Sequence, residues 1–582
     1  MKYPTLSELQ NSRDMIDVFK GYNHNLRIGD GEFFDMTNLT SSSYPVLSPR
    51  KERGIYASPN NPQGLIEKDS LCYVDGQYFV INENRIDMGL SEAEEDCPKQ
   101  LISMGAYVII LPDKKYINTA NLADFGNIEA TVTTNTPVSF ELCRIDGSAY
   151  SDATTSADEP ANPTNLQLWI DTSSTPHTLK QYSESSSMWV SIATTYIKIS
   201  SPGIGIPFEV GDGVTISGIE STQLSDLNSS QIIWDKGDDY IVVVGILDTV
   251  ETQTSPITIS RLMPLMDFVI ESENRLWGCR YGVALNGTVV NEIYASKLGD
   301  FKNWNCFMGI STDSYAVTVG TDGQFTGAVK HLGYPLFFKE NYMHKIYGNY
   351  PANYQVNTTT CRGVQKGSHK SIAIVNEALY YKSRTAICAF DGSLPSEMSY
   401  ALGDVVYSDA VAGSLGNKYY ISMKDASGVY HLFAYDTSRG MWHREDNTRA
   451  LDFCSCRGEL YFIDTKDKKI KTALGSGNPS GEKVNWMCET GIIGTDSPDY
   501  KYISKLNVRM MLDIDAKAYF SIEYDSSGTW EQLFTMSGTS LRSFTVPIRP
   551  QRCDHMRIRI EGIGNAKIFS ITKTIEQGSD SR

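Results

Sequence analysis

Helical periodicity is almost missing from this sequence: residues 5–19, with Leu6, Leu9, Met15, Ile16 and Phe19 at helical spacing, are the one stretch that predicts an amphipathic helix. No run of about 18 apolar residues occurs, which excludes a membrane-spanning helix. The opening MKYPTLSELQNSRDMIDVF has neither the basic start nor the apolar stretch of a secretory signal, so synthesis and retention in the cytosol are expected. Positive charge is short as well, with 52 Lys and Arg against 69 Asp and Glu and a net charge of -17. Such a chain does not hold nucleic acid by neutralising phosphates. It suits a wall that DNA slides past without sticking, provided the acids face the lumen.

Signatures of chemistry are equally sparse. The 11 cysteines, an odd number, are scattered from Cys72 to Cys553, and Cys454 and Cys456 form the only close pair. A zinc site needs four ligands at short fixed spacings, so these read as reduced core thiols, and no metal or cofactor is expected. The patterns G-x-S-x-G and H-E-x-x-H are absent, and the 8 histidines, His331, His344 and His443 among them, stand singly. Each reads as structural or exposed rather than as a base or a ligand.

What is present is strand and turn. The 582 residues leave room for about three to four domains, and 33 Tyr against 8 Trp and 21 Phe favour strands and interfaces. A unit of apolar strand, polar turn and second strand recurs about seven times: 75–89, 104–119, 273–282, 332–348, 376–392, 415–436 and 457–475. In the fifth, Ala378 to Tyr381 form a strand, Lys382 to Arg384 turn, Ile387 to Phe390 return, and Asp391 with Gly392 ends it. The last four units start about 40 residues apart, the period of a four-stranded propeller blade. An array of sandwiches gives the same hairpins; the period favours the propeller.

The period fails over 121–240, where Ser and Thr are abundant and short strands such as 165–171 and 187–200 appear. Gly203, Gly205, Gly211, Gly213 and Gly218 supply tight turns there, without the lysine and following helix of a phosphate loop. The expected organisation is all-β. Residues 1–120 form an N-terminal segment with the first blades, 121–240 an inserted small β domain, 241–482 the remaining blades, and 483–582 a C-terminal β-sandwich. On that sandwich Arg542, Arg549, Arg552, Arg557 and Arg559 make a basic strip facing one acid, Asp554. It reads as a solvated face or as a docking surface. On the insert, Trp169, Tyr182 and Trp189 stack on sugars or fill a small core.

The segment EIYASKLGDFKNW (292–304), preceded by Leu276, Trp277 and Gly278, resembles the S-x-x-G-D-F-x-N-[FW] segment of propeller proteins in phage tail nozzles, the tail tubular B type. The stretch 19–54, with its D-M-x-N-L and Y-P-x-L-x-x-R pieces, is similar to the N-terminal segment of phage tail structural proteins, and the end IRIEGIGNAKIFSITKTIEQGS to their closing strands. The resemblance is patchy but spread over the whole length. It implies a virion protein assembled in the bacterial cytoplasm and forming a ring, hexameric in nozzles. DNA passes non-specifically, and an adaptor and tail fibre or tip proteins are the neighbours. It implies no catalytic residue; Gly299, Asp300, Phe301, Asn303 and Trp304 carry the motif. Trp304 reads as an interface aromatic or as the buried Trp of a blade turn held by Asp300.

Two other readings stand beside this one. A receptor- or carbohydrate-binding protein at the tail tip would use the insert's aromatic side chains. A propeller glycosidase is the least favoured reading. DSSGTW (525–530) resembles the Asp-box of sialidases but lacks a residue between Gly528 and Thr529, occurs once and falls in the terminal sandwich. The separations of carboxylates, on which such catalysis depends, are not readable from sequence.

Overall fold

The computed structural model describes residues 11–92, 98–150, 152–284, 287–479, 481, 483–496 and 499–577. Among these, every regular element is a strand or a three-residue 3-10 turn, and no helix is long and apolar enough to cross a membrane.

Seven sheets form a closed propeller. Blades 1 to 6 span 62–87, 100–127, 268–318, 325–360, 373–397 and 407–446. Blade 7 takes three strands from 450–472 and is completed by Gly54–Ala57 from the start of the chain, which pairs antiparallel with Lys469–Thr472. The inner strands pack in ring order. Pro62–Lys68 touches Gln100–Met104, then come Phe268–Ser272, Phe325–His331, the inner turn and strand of blade 5, Tyr407–Leu415 and Ala450–Cys456, which returns to Pro62–Lys68. At the closure the chain needs glycine, because a Cβ on Gly54 would lie 1.9 Å from the Ser476 carbonyl oxygen.

Six of the predicted units hold the second strand of a blade with an adjoining turn or third strand, and the first, 75–89, holds the third and fourth strands of blade 1, Tyr78–Ile81 and Asn84–Asp87. The reason is burial on both faces. In Ser70–Asp75, Leu71 and Tyr73 pack toward blade 7 while Cys72 and Val74 pack toward blade 2. Both parities of the strand are therefore apolar, and each fully buried side chain contributes about 1.5–3 kcal/mol. The same holds between blades 3 and 4 through Trp277, Ile293 and Phe337, and between blades 4 and 5 through Phe338, Leu379 and Tyr381.

The insert leaves blade 2 after Phe125–Asn127 and returns after Thr258–Arg261. Its sheets run from 130 to 261, so the boundary expected at 240 falls at the edge of Tyr240–Val244, an inner strand of the insert. The apolar run IVVV resembles a blade strand, but only Ile241 and Val243 face the insert's core beside Phe140 and Ile199, while Val242 is buried on the other face and Val244 is exposed.

The terminal domain is built on Lys501–Tyr524, 24 residues long and irregular between Leu512 and Lys517. Its first half pairs with Ala566–Gln577 and its second with Met556–Ile563, while Glu531–Val546 follows it along both halves. Two layers result, closed over Leu506, Val508, Met510, Phe520, Ile558 and Ile571.

The N-terminal segment corrects two expectations. Residues 11–16 are a strand, not a helix, paired antiparallel with Ala566–Gln577; residues 5–10 lie outside the described residues. The open backbone edge of 566–577 overrides a weak helical pattern. Glu32–Thr37 and Gly21–Tyr22 do not belong to the first blades. They bridge Asn485–Thr490 of the terminal domain to Met441–Asp446 of blade 6. The D-M-x-N-L and Y-P-x-L-x-x-R pieces meet there: Arg50 donates to Asn38 Oδ1 at 2.7 Å, and Asn38 Nδ2 donates to the Asn485 carbonyl at 2.7 Å. Arg53 pairs with Glu445 at 3.0 Å and Asp446 at 2.7 Å.

Candidate functional site: the insert seat and the propeller axis

The motif at 296–304 lies between the third and fourth strands of blade 3 and joins three bodies. Asp300 accepts the Lys302 N–H at 2.9 Å and the Asn303 side-chain amide at 2.5 Å. Gly299, at φ +74, turns the chain into this loop. Phe301 packs against Tyr107 and Tyr116 of blade 2, with ring centroids 5.0 and 5.2 Å away. Lys302 lies over the Tyr116 ring. Trp304 is buried and donates its indole N–H to the Phe301 carbonyl at 3.0 Å. It is therefore an internal anchor and not an exposed interface aromatic.

Asn303 ties the motif to the insert. Its Nδ2 donates to Asp212 at 2.8 Å, and its Oδ1 accepts the Gly213 N–H at 2.9 Å. Asp212 is buried and pairs with Arg261, whose guanidinium also donates to the Ile128 carbonyl at 3.2 Å. Ile128 and Arg261 stand where the insert's two chain segments meet the propeller. One network thus clamps both feet of the insert and the motif. Gly213 has to be glycine, since a Cβ there would sit 2.6 Å from the Asn305 carbonyl oxygen. Sequence reasoning singled out the motif but missed Asp212, Arg261 and Arg275, which lie far from it along the chain. Buried Arg275 donates to the Ser296 and Ser311 carbonyls at 2.7 and 2.8 Å.

The axis of the ring is occupied by the inner turn of blade 5, His369–Ser371. Lys370 pairs at 2.8 Å with Asp452 of blade 7, skipping blade 6, and Asp452 also accepts the Leu65 N–H of blade 1 at 3.0 Å. On the other side the His369 ring lies 5.2 Å from Phe268 of blade 3, skipping blade 4. Burial pushes the His369 pKa down to about 4, with Lys370 adding to the shift. His344 and His443 are likewise pushed down by burial, to about 4 and about 3. The described cysteines are free thiols, and burial raises those of Cys72 and Cys306 to about 12 and about 11. No group of His, Cys, Asp and Glu arranged for a metal ion occurs among the described residues.

The arginine strip divides. Arg557 and Arg559 are spent on Glu489, at 3.0 and 2.8 Å, and also lie over Phe34 and Trp530. Arg549 and Arg552 are exposed, Arg552 beside Tyr502. Arg542 lies over Phe544. On the insert, Trp169 is a core residue, donating to the Ser156 carbonyl at 3.0 Å. Trp189 is half-buried edge-on between Trp169 and Tyr182, at 5.3 and 5.4 Å. Its indole N–H has no partner among the described residues.

No protein-family model matches the chain, and no curated protein matches it. Among solved structures it is similar to BamB from Moraxella catarrhalis, at 11% identity over 64% of this chain and 92% of that one, with a TM-score of 0.23. It is also similar to an exo-beta-1,3-galactanase from Phanerochaete chrysosporium, at 9% identity over 52% and 94% of the two chains, with a TM-score of 0.20. The WD40 domain of Toxoplasma gondii coronin gives 8% over 75% and 86%, with a TM-score of 0.22. The propeller assignment rests on the closed ring of seven blades.

Proposed function

We propose that this chain is a structural protein of a bacteriophage tail, a subunit of a ring-forming nozzle through which DNA is ejected, and not an enzyme. The observation that carries the reading is the seat at 296–304. The residues that resemble the tail tubular B segment are committed to joining propeller and insert into one rigid piece. A wall subunit needs that rigidity and needs no reactive group. Two further features support the reading. The axis, where a propeller most readily forms a small-molecule site, is filled by His369 and Lys370. Its carboxylate Asp452 is engaged from two sides. The net charge of -17 suits a surface that DNA passes without sticking. In this reading the neighbours are further copies of the chain, an adaptor above, and fibre or tip proteins below.

Negative-stain electron microscopy of the purified protein, alone and with phage adaptor or portal preparations, tests it. Closed rings with a central hole are expected. A persistent monomer in both preparations overturns the nozzle reading. A second reading, a tail-tip carbohydrate binder, would use the partly exposed rings of Tyr182 and Trp189 on the insert.

A further inference from the structure

One layer of the terminal domain has two unpaired edges of unlike charge. Its strand order is Asn11–Ile16, then Ala566–Gln577, then the first half of Lys501–Tyr524, then the second half of Glu531–Val546. Among the described residues, Glu531–Val546 pairs only with Lys501–Tyr524, and Asn11–Ile16 pairs only with Ala566–Gln577. Each therefore has a row of backbone N–H and C=O groups without a strand partner among the described residues. Natural sheets guard such edges with charge, proline or brevity. Here the stretch 532–541 contains no charged residue and no proline.

The flanking charges differ. Around the 539–546 edge stand Arg542 and Arg549, both exposed, with Arg542 on the same sheet face as Asp14 by register. Neither arginine forms an ion pair among the described residues. At the opposite edge Asp14 lines a cleft of about 710 Å³, and Asp17 follows it, exposed. Arg13 belongs to the other face of that strand by alternation.

We propose that a second copy of this chain docks here head to tail. The Asn11–Ile16 edge of one copy adds to the Thr539–Val546 portion of the next, so that the layer continues across the subunit boundary. The inference rests on the ring-forming reading and names the surface that makes the ring. A contact between two different patches is heterologous, and such contacts generate rings when the rotation closes. Backbone pairing supplies affinity, and the arginine–aspartate match sets the register against antiparallel self-pairing of the arginine-rich edges.

The test is sedimentation velocity on the full-length protein and two variants, with circular dichroism and thermal melting to verify folding. The first variant is Arg542→Glu with Arg549→Glu; the second adds Asp14→Arg and Asp17→Arg. Wild type is expected to sediment as a closed oligomer, the first variant as a monomer at the same concentration, and the second as the oligomer again. If the folded first variant assembles like wild type, the docking surface lies elsewhere and this proposal fails while the ring reading stands. If wild type itself stays monomeric, with and without adaptor preparations, the ring reading fails and this proposal with it.

Discussion

Lys370 on blade 5 and Asp452 on blade 7 form an ion pair at 2.8 Å across the centre of the propeller, with 14% of each side chain exposed. Because Asp452 also accepts the Leu65 N–H, blades 1, 5 and 7 are held at one carboxylate. Removing one partner leaves a half-desolvated charge behind. Lys370→Met is expected to cost about 1–3 kcal/mol, and Lys370→Met with Asp452→Leu less than the sum of the two single changes. Denaturant melts of the four proteins check this.

Asn303 and Asp212 hold the insert to the propeller. Asp212→Ala leaves the buried Arg261 without its carboxylate and is expected to cost about 3 kcal/mol. Asn303→Ala loses three side-chain hydrogen bonds, to Asp300, Asp212 and the Gly213 N–H, and leaves the Arg261 pair in place, so its expected cost is smaller. Limited proteolysis should show both variants cleaved within 262–266, the segment between insert and blade 3, faster than wild type, with Asp212→Ala the faster.

Three histidines make stability fall on mild acidification. His344, His369 and His443 are neutral in the fold, with pKa values pushed by burial to about 4, about 4 and about 3 from the ordinary histidine range near 6.5. Between those values the unfolded chain binds protons that the native protein does not. Stability is therefore fully present above about pH 6.5 and declines as pH falls toward 4. Thermal melts across this window are expected to show the decline, and His369→Phe to flatten it.

The closure of the ring depends on Gly54. Gly54→Ala puts a methyl group on the Ser476 carbonyl, so the Gly54–Ala57 strand must shift away from Lys469–Thr472. A loss of about 1–3 kcal/mol is expected, with faster hydrogen exchange confined first to blade 7.

The insert can be removed without reaching across the propeller, because Ala130 and Arg261 are paired neighbours. Replacing 130–261 by a short Gly-Ser linker is expected to leave the propeller folded. Loss of glycan-array binding in that variant would favour the tip reading, and failed assembly the wall.

The sequence by itself determined the architecture wherever the cause is local. A blade's second strand is buried on both faces, so YVIIL, LYYK and KYYISM are near-continuous apolar runs, and polar turns end them. Six blades were legible from such runs, and blade 1 from its third strand, Tyr78–Ile81. The terminal domain was legible for a related reason, one face in and one out, which writes alternation into strands such as HMRIRIEG. The resemblance singled out 296–304 as a blade turn or an interface, and its contact with the insert emerged only in the fold.

Tertiary structure alone decided what depends on partners distant along the chain. Residues 11–16 became a strand because 566–577 offered an edge, against a helical spacing of apolar residues. The IVVV run at 241–244 belongs to the insert because its Ile241 and Val243 pack with Phe140 and Ile199, a fact with no local signature. Asn303 meets Asp212 from 91 positions away, and Lys370 crosses the axis to a carboxylate two blades on. Apolar periodicity records how much of a strand is covered. It carries no record of which neighbour covers it, and the seat, the axis and the two free edges are all matters of neighbour identity.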